Sequence, residues 1–253
     1  MRGSSGVMTH TLNNIVLLTI VFTILSIVTA YAQDNEIYVD QSGATANIDF
    51  EQLGTGNLIT GLSGVSGTPT ALDLDGGSMT LDINMIGDTN KFLGDLWADT
   101  FIGNYNFTGS TNTFTLTVDP TNTYGADSSN QNVQVTGSSN TFILNQGTAA
   151  LADSLDLDWL VQGSNNTITA NIDIDNATNF MDIDGSDNTV TYDGDGVSAS
   201  AGGYMYLDHT GGSRTFNIEQ QSTLNNDWVQ INSTGSSGTV CVIQNDNGTT
   251  VSC

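Results

Sequence analysis

The sequence predicts an all-β protein built as a β-solenoid, or as a closely related stack of β-arches, of about eight rungs. Three observations lead to this prediction. A four-residue turn motif repeats along the chain, apolar residues alternate with polar ones around it, and residues that favour helices are scarce. All but three of the 27 acidic residues are Asp, which favours turns over helices.

The repeated unit is Gly-x-x-Asn, six copies of which form a series at intervals of 22 to 33 residues, followed by degenerate copies at Gly211 and Gly235. The six copies begin at Gly54, Gly87, Gly109, Gly137, Gly163 and Gly185, and they end at Asn57, Asn90, Asn112, Asn140, Asn166 and Asn188. Gly, Asn, Ser and Asp supply the positive φ angles and the side-chain-to-backbone hydrogen bonds of sharp turns. We therefore interpret each copy as a turn between two strands.

The residues around the turn predict which side chains face the core. An apolar or aromatic residue lies four positions before each Gly: Phe50, Ile83, Tyr105, Val133, Trp159, Met181, Leu207 and Ile231. A second apolar column follows the last six turns: Phe114, Phe142, Ile168, Val190, Phe216 and Val240. Polar residues separate the apolar ones, an alternation typical of strands with one buried face.

The same residue class in corresponding places favours stacked coils, in which each side chain packs on its counterparts above and below. The alternative is a β-sandwich with hairpins at similar spacing. The uneven intervals between the motifs favour the sandwich.

Residues 1–32 are predicted to be an export signal. An apolar run spans residues 15–28, and Ala30-Tyr31-Ala32 matches the small-x-small cleavage pattern, so the mature chain would begin at Gln33. The run is short for a membrane span of about 20 residues, although a retained anchor is the alternative. We expect residues 33–253 to form a single all-β repeat domain that is extracellular or at the cell surface.

The two cysteines of the chain, Cys241 and Cys253, flank the turn residues Asp246-Asn247-Gly248. Counting outward from a three-residue hairpin loop places the two sulfur atoms opposite each other. In an exported protein this arrangement predicts a disulfide that locks a C-terminal hairpin.

The charge of the chain excludes some partners and disfavours catalysis. Its formal net charge is −24, and only Lys91 and Arg214 offset the acidic residues after the predicted signal. Such a surface repels nucleic acid and anionic membranes. His209 is the sole histidine after the signal, and its neighbour Asp208 would point to the opposite face of a strand. We expect no catalytic residues and no enzyme activity.

Calcium is the one cofactor that the sequence suggests, because acidic turns provide the hard oxygen ligands that it prefers. The candidate ligands are Asp182, Asp184, Asp187, Asp193 and Asp195. They complete no EF-hand loop, so a solvated acidic surface is the alternative and the protein is otherwise expected to need no cofactor.

Residues 37–57 resemble the repeat of the curlin family, in which Gln-x-Gly-x-x-Asn marks the bend of a β-arch. The segment contains Gln52-Leu53-Gly54-Thr55-Gly56-Asn57. Curlin proteins are secreted and stack their repeats into extracellular fibres for adhesion and biofilm matrix. The resemblance implies that Gln41, Gln52, Asn57 and Gln162 are ladder residues and that Gly54 and Gly163 are bend residues.

We therefore expect a secreted structural subunit of an extracellular or cell-surface filament, which assembles with copies of itself by strand pairing. Carbohydrate or a cell surface is a further possible partner. The alternative is a monomeric module: an adhesin, a virion fibre, or an ice-binding solenoid that uses outward Thr pairs such as Thr167 and Thr169. A carbohydrate-active enzyme is the third option.

Overall fold

In a computed structural model, described for residues 36–62, 69–118, 128–147, 154–173, 177–196, 203–222 and 228–245, the chain winds into stacked parallel β-coils. The predicted signal at residues 1–32 lies outside the described residues. The strands are β1 (Glu36–Tyr38), β2 (Asp40–Leu53), β3 (Leu58–Leu62), β4 (Pro69–Thr70), β5 (Leu72–Ile86), β6 (Lys91–Thr108), β7 (Thr113–Val118), β8 (Ser128–Thr136), β9 (Thr141–Gly147), β10 (Leu155–Gln162), β11 (Thr167–Asp173), β12 (Ala177–Asp184), β13 (Asn188–Gly196), β14 (Tyr204–Thr210), β15 (Arg214–Ser222), β16 (Trp228–Thr234) and β17 (Thr239–Asn245).

The strands form two parallel ladders, one before and one after the Gly-x-x-Asn bends. The front ladder, which precedes the bends, runs β2–β5–β6–β8–β10–β12–β14–β16. The back ladder, which follows them, includes the first part of β6 and then runs β7–β9–β11–β13–β15–β17. The long strands β2, β5 and β6 pass through both ladders.

The observed registers confirm the β-solenoid and exclude the sandwich. All eight residues of the predicted front column pair with one another, for example Tyr105 with Val133 and Trp159 with Met181. A sandwich has antiparallel sheets, whereas the one antiparallel pair in the described part of the chain is β3–β4. This pair accounts for the longest motif interval, because it adds residues between the first two bends.

The core lies between the two ladders, whose inward side chains meet. Aromatic rings bridge them, as when Phe142 of the back ladder lies 6.3 Å from Trp159 of the front ladder. The back column also extends further than the sequence predicted, since Phe114 pairs with Phe92 and Phe92 pairs with Ile59. All three side chains are buried.

Glycine begins each bend because the coils touch there through their backbones. Gly137 has φ +138°, and a Cβ at this position would lie 2.0 Å from the Gly109 carbonyl oxygen of the neighbouring coil. The N–H of Gly137 also donates to the carbonyl of Gln162 in the following coil (2.8 Å). The bend therefore requires a residue without a side chain.

Asparagine ends each bend because its side chain joins one coil to the next. The backbone N–H of Asn112 donates to Oδ1 of Asn140 (2.9 Å), and that of Asn140 donates to Oδ1 of Asn166 (2.9 Å). The same bond links all six motif asparagines in one buried ladder. Further along, Nδ2 of Asn188 donates to the carbonyl of Gly163 (3.0 Å).

Candidate functional site

The outward side chains of the front ladder form two neighbouring columns with a depression between them. The lower part of the depression, towards the C-terminal coils, has a volume of about 470 Å³ and extends to Asp208. The upper part, towards the N-terminal coils, has a volume of about 350 Å³ and extends to Asp49. Asn132 and Gln134 line both stretches. We call this depression the front furrow.

Hydrogen bonds donated by amide side chains join the coils in the upper part of the front furrow, where one carboxylate pair, Asp49 and Asp82, also lies in register. Nδ2 of Asn132 donates to Oδ1 of Asn104 (3.1 Å), and Nδ2 of Asn104 donates to Oδ1 of Asp82 (2.6 Å). In the next column, Nδ2 of Asn106 donates to Oδ1 of Asn84 (3.2 Å). An amide both donates and accepts, so stacked amides can bond from coil to coil.

The lower part of the furrow changes to carboxylates, which cannot bond to one another in this way. Asp182 pairs directly with Asp208 of the next coil. Burial, followed by the charges of Asp184 and Asp208, raises the pKa of Asp182. Burial and the charge of Asp156 likewise raise the pKa of Asp158. Like charges on adjacent strands destabilise a sheet.

Exposed aromatic rings lie beside these carboxylates. Phe180 is 46 % exposed, and its ring centroid is 5.7 Å from that of Tyr206 in the next coil. A second pair, Tyr204 and Trp228, has its centroids 6.2 Å apart. Trp228 is 41 % exposed. Large aromatic side chains left open to solvent in this way are typical of binding surfaces.

His209 has a structural position at the core rather than a place beside a nucleophile. It is fully buried two residues after the front-column residue Leu207, and its ring lies 5.3 Å from that of Phe216. Nε2 lies 3.0 Å from the Gly185 carbonyl oxygen, and Nδ1 lies 3.1 Å from the Ser233 hydroxyl. In the two preceding bends, Nδ2 of a ladder asparagine donates to the corresponding carbonyl, that of Gly137 or Gly163. Arg214 replaces the asparagine here, so His209 takes over that bond.

The contacts of His209 make its neutral form the favoured one in the fold. Burial lowers the pKa of His209, and it outweighs the raising effects of the Gly185 carbonyl and of the Asp184 and Asp208 charges; Arg214 adds to the lowering. The unfolded chain therefore binds the proton at a higher pH than the native state does. The free energy of unfolding should fall as pH falls below the ordinary histidine pKa of about 6.5.

We expect His209→Gln to remove this pH dependence. In urea titrations between pH 7.5 and 5.5, the natural chain should lose stability relative to the variant, with a slope no steeper than about 1.4 kcal/mol per pH unit. Asp158 and Asp182, whose pKa is raised in the fold, have the opposite effect above the ordinary aspartate pKa of about 3.9. They are present in both proteins, so their effect cancels in the comparison. Equal slopes in the two proteins would contradict the neutral, buried histidine.

The five predicted calcium ligands lie on three different segments of the chain. Asp182 and Asp184 lie on β12 of the front ladder, Asp187 lies on the bend, and Asp193 and Asp195 lie on β13 of the back ladder. Among the described residues, no three His, Cys, Asp or Glu side chains are placed to hold a metal ion. The calcium site stays a prediction.

Three of the ladder residues that the curlin resemblance implies can be compared with the structure. Asn57 is a ladder residue, and Gln52 is buried two residues after Phe50. Gln162 is exposed and aligned with Thr136 and Asp184, so no glutamine ladder forms there. The side chain of Gln41 lies outside the described residues.

On the back ladder, a threonine column lies in register: Thr113, Thr141, Thr167, Thr189, Thr215 and Thr239. Ile143, Asn217 and Cys241 interrupt the second rank beside it. Ice binding through outward Thr pairs stays a prediction.

Cys241 lies on β17, paired with Asn217, while Cys253 lies outside the described residues. The predicted disulfide and its hairpin therefore stay predictions. Within the described part of the chain, no helix is long and apolar enough to cross a bilayer.

The two ends of the stack differ from its middle. In the described part of the chain, β16 pairs with β14 alone and β17 with β15 alone. The inward side chains of β17 are partly exposed to solvent, Val240 by 44 % and Val242 by 45 %. Their column partners on β15, Phe216 and Ile218, are buried.

Comparison with known proteins gives no relative on which a function could be based: no family model, no curated protein and no solved structure matches this chain.

Proposed function

We propose that this protein is a secreted structural subunit of an extracellular or cell-surface filament, in which copies stack end to end by parallel strand pairing. The observation that carries the proposal is the open last coil. Val240 and Val242 occupy core columns, yet nearly half of each side chain is exposed, and on the front ladder the outer edge of β16 has no paired strand among the described residues. An uncovered edge of this kind is a template for pairing with another chain.

A second copy of the same chain is the occupant that suits this end. Each internal coil already pairs in parallel with a coil of the same residue classes, so an added copy would continue the ladders without a new geometry. The first coil provides the complementary end: β2 pairs with β5 alone and β1 with β3 alone in the described part of the chain. Ile37, Val39 and Ile48 are partly buried there.

The charge distribution favours growth along the stack over side-by-side association. The chain has a net charge of −24, and no Asp or Glu side chain among the described residues is buried. These outward charges repel one another when two stacks approach sideways. End-to-end contact would instead bury the apolar columns. Because salt screens surface charges, we expect assembly to be faster at higher ionic strength. The resemblance to curlin repeats, whose proteins form fibres, also supports a filament.

Electron microscopy of the purified mature protein tests the proposal. We expect filaments whose length increases with concentration and salt. Val242→Asp should leave discrete particles, because the charge would be buried at every junction. Thr169→Asp is the matched control, since it adds the same charge at an outward position in the middle of the stack. Discrete particles of the natural protein under all conditions would reject the filament.

Export can be tested separately by intact-mass analysis of protein recovered from the culture medium. We propose cleavage before Gln33 and a disulfide between Cys241 and Cys253, which suits an oxidising compartment. The mass should correspond to residues 33–253 with two hydrogens lost, and reduction should restore them. A cell-associated chain that still includes residues 1–32 would count against export.

A further inference from the structure

The front furrow combines three features that the stacking of the coils does not need. It is an elongated depression along the stack, its lower part contains facing carboxylates, and exposed aromatic rings lie next to them. A stable solenoid requires none of these at outward positions, where amide side chains can bond from coil to coil, as Asn132 does to Asn104.

The lower furrow has negative charge without a compensating cation. Asp182 faces Asp208, and Asp158 lines the same stretch. No Lys or Arg is among the lining residues, and Arg214 instead donates to the Ser237 carbonyl in the bend region (3.1 Å). A ligand with positive charge would relieve this repulsion, so charge complementarity points to a cation.

The aromatic rings restrict the shape of that ligand. Phe180 and Tyr206 provide ring faces beside the carboxylates, and Tyr204 and Trp228 continue this surface towards the end of the stack. An amine beside a ring face gains a cation–π attraction, and flat apolar faces pack on aromatic rings. The ligand should therefore carry amino groups together with flat, partly apolar rings.

We propose that the lower front furrow binds a polysaccharide of amino sugars with free amino groups. The ammonium groups lie against Asp158, Asp182 and Asp208, and the sugar rings pack on Phe180 and Tyr206. The hydroxyl groups bond with Asn132 and Gln134, where the amide-lined stretch begins. A polymer fits because the furrow spans several coils along the stack.

Other classes of ligand fit the furrow less well. An anionic polysaccharide would meet carboxylates. A basic peptide would find its charges met, but its backbone would find no strand edge, since the furrow lies on the face of a ladder whose strands are paired on both sides. The furrow lies on the side of each copy, so this proposal does not depend on filament formation.

The test measures binding of the purified mature protein to soluble deacetylated poly-glucosamine, with its N-acetylated form, a polyuronate and poly-lysine as comparison polymers. Val242→Asp is present in every protein tested, so that assembly does not affect the result. The furrow variants are Asp182→Asn with Asp208→Asn, and Phe180→Ala with Tyr206→Ala. The matched control is Asp99→Asn with Asp187→Asn, which removes the same charge at exposed positions outside the furrow lining.

We expect each furrow pair to weaken poly-glucosamine binding by about tenfold or more, while the control pair leaves it nearly unchanged and salt weakens it. Both charge-removing pairs should weaken the binding of poly-lysine equally, and the aromatic pair should leave it unchanged. Equal binding of the N-acetylated polymer would overturn the role of the amine. Unchanged binding in the furrow variants, with circular dichroism showing intact β-structure, would overturn the site.

Discussion

Gly137→Ala is expected to destabilise the protein by about 4 kcal/mol or more, the range that marks exceptional single substitutions. The added Cβ would lie 2.0 Å from the carbonyl oxygen of Gly109. That oxygen belongs to the backbone of a neighbouring coil and cannot rotate away. The φ angle of +138° is also one that residues with a Cβ rarely adopt. Urea unfolding followed by circular dichroism measures the loss.

Ser110→Ala is the control for this substitution, because it changes a bend residue that has an ordinary φ angle. We expect it to alter stability by less than about 1 kcal/mol. If the two variants unfolded at the same urea concentration, the close contact between neighbouring bends would not be what selects glycine at the motif's first position.

The coil register could be predicted from the sequence because both ladders repeat their inward residues. Phe50 through Ile231 are apolar at one fixed distance before each glycine, and the structure places them in one column. The extension of the back column to Phe92 and Ile59 was missed for a simple reason. Lys91 and Leu58 precede these residues, whereas Thr precedes the apolar residue in the later copies.

The bends show a feature that turn propensity does not reveal. Their third residue is left-handed, with φ near 60° at Thr89, Thr111, Ser139, Asn165 and Asp187. Asn and Asp tolerate this conformation, but a β-branched Thr does so at a cost. The N–H of Thr111 donates to the Ser138 carbonyl of the next coil (3.1 Å), so pairing between coils holds the residue in place.

The front furrow could not be predicted, because the outward columns of the front ladder do not repeat one residue type. Column positions occupied by Asn104 and Asn132 become Asp158 and then Phe180 further along. Each of these residue types is compatible with an exposed strand position, so the sequence pattern indicates only that the column is exposed. The pairing of Phe180 with Tyr206 becomes visible once the register is known. The same holds for His209 and the Gly185 carbonyl, which are 24 residues apart.

Phe114→Ala is expected to cost about 3–5 kcal/mol, the range for removing a buried aromatic ring. Its fully buried ring lies 4.8 Å from that of Tyr105, 5.2 Å from Phe92 and 5.3 Å from Phe107. All three neighbours belong to β6, whose backbone is fixed by pairing on both sides, so this strand cannot shift to close the cavity. Chemical unfolding of the variant and the natural chain gives the difference.

Two further variants distinguish the loss of packing from a general effect of substitution on β7. Phe114→Leu keeps much of the volume and should cost less than half as much. Thr115→Ala changes the adjacent outward side chain and should stay within about 1 kcal/mol of the natural chain. Hydrogen exchange should show that Phe114→Ala loosens the coils on either side of β7 first, because each coil of a solenoid is stabilised by its immediate neighbours. A loss confined to the ends of the stack would instead mean that the aromatic column does not hold the middle coils together.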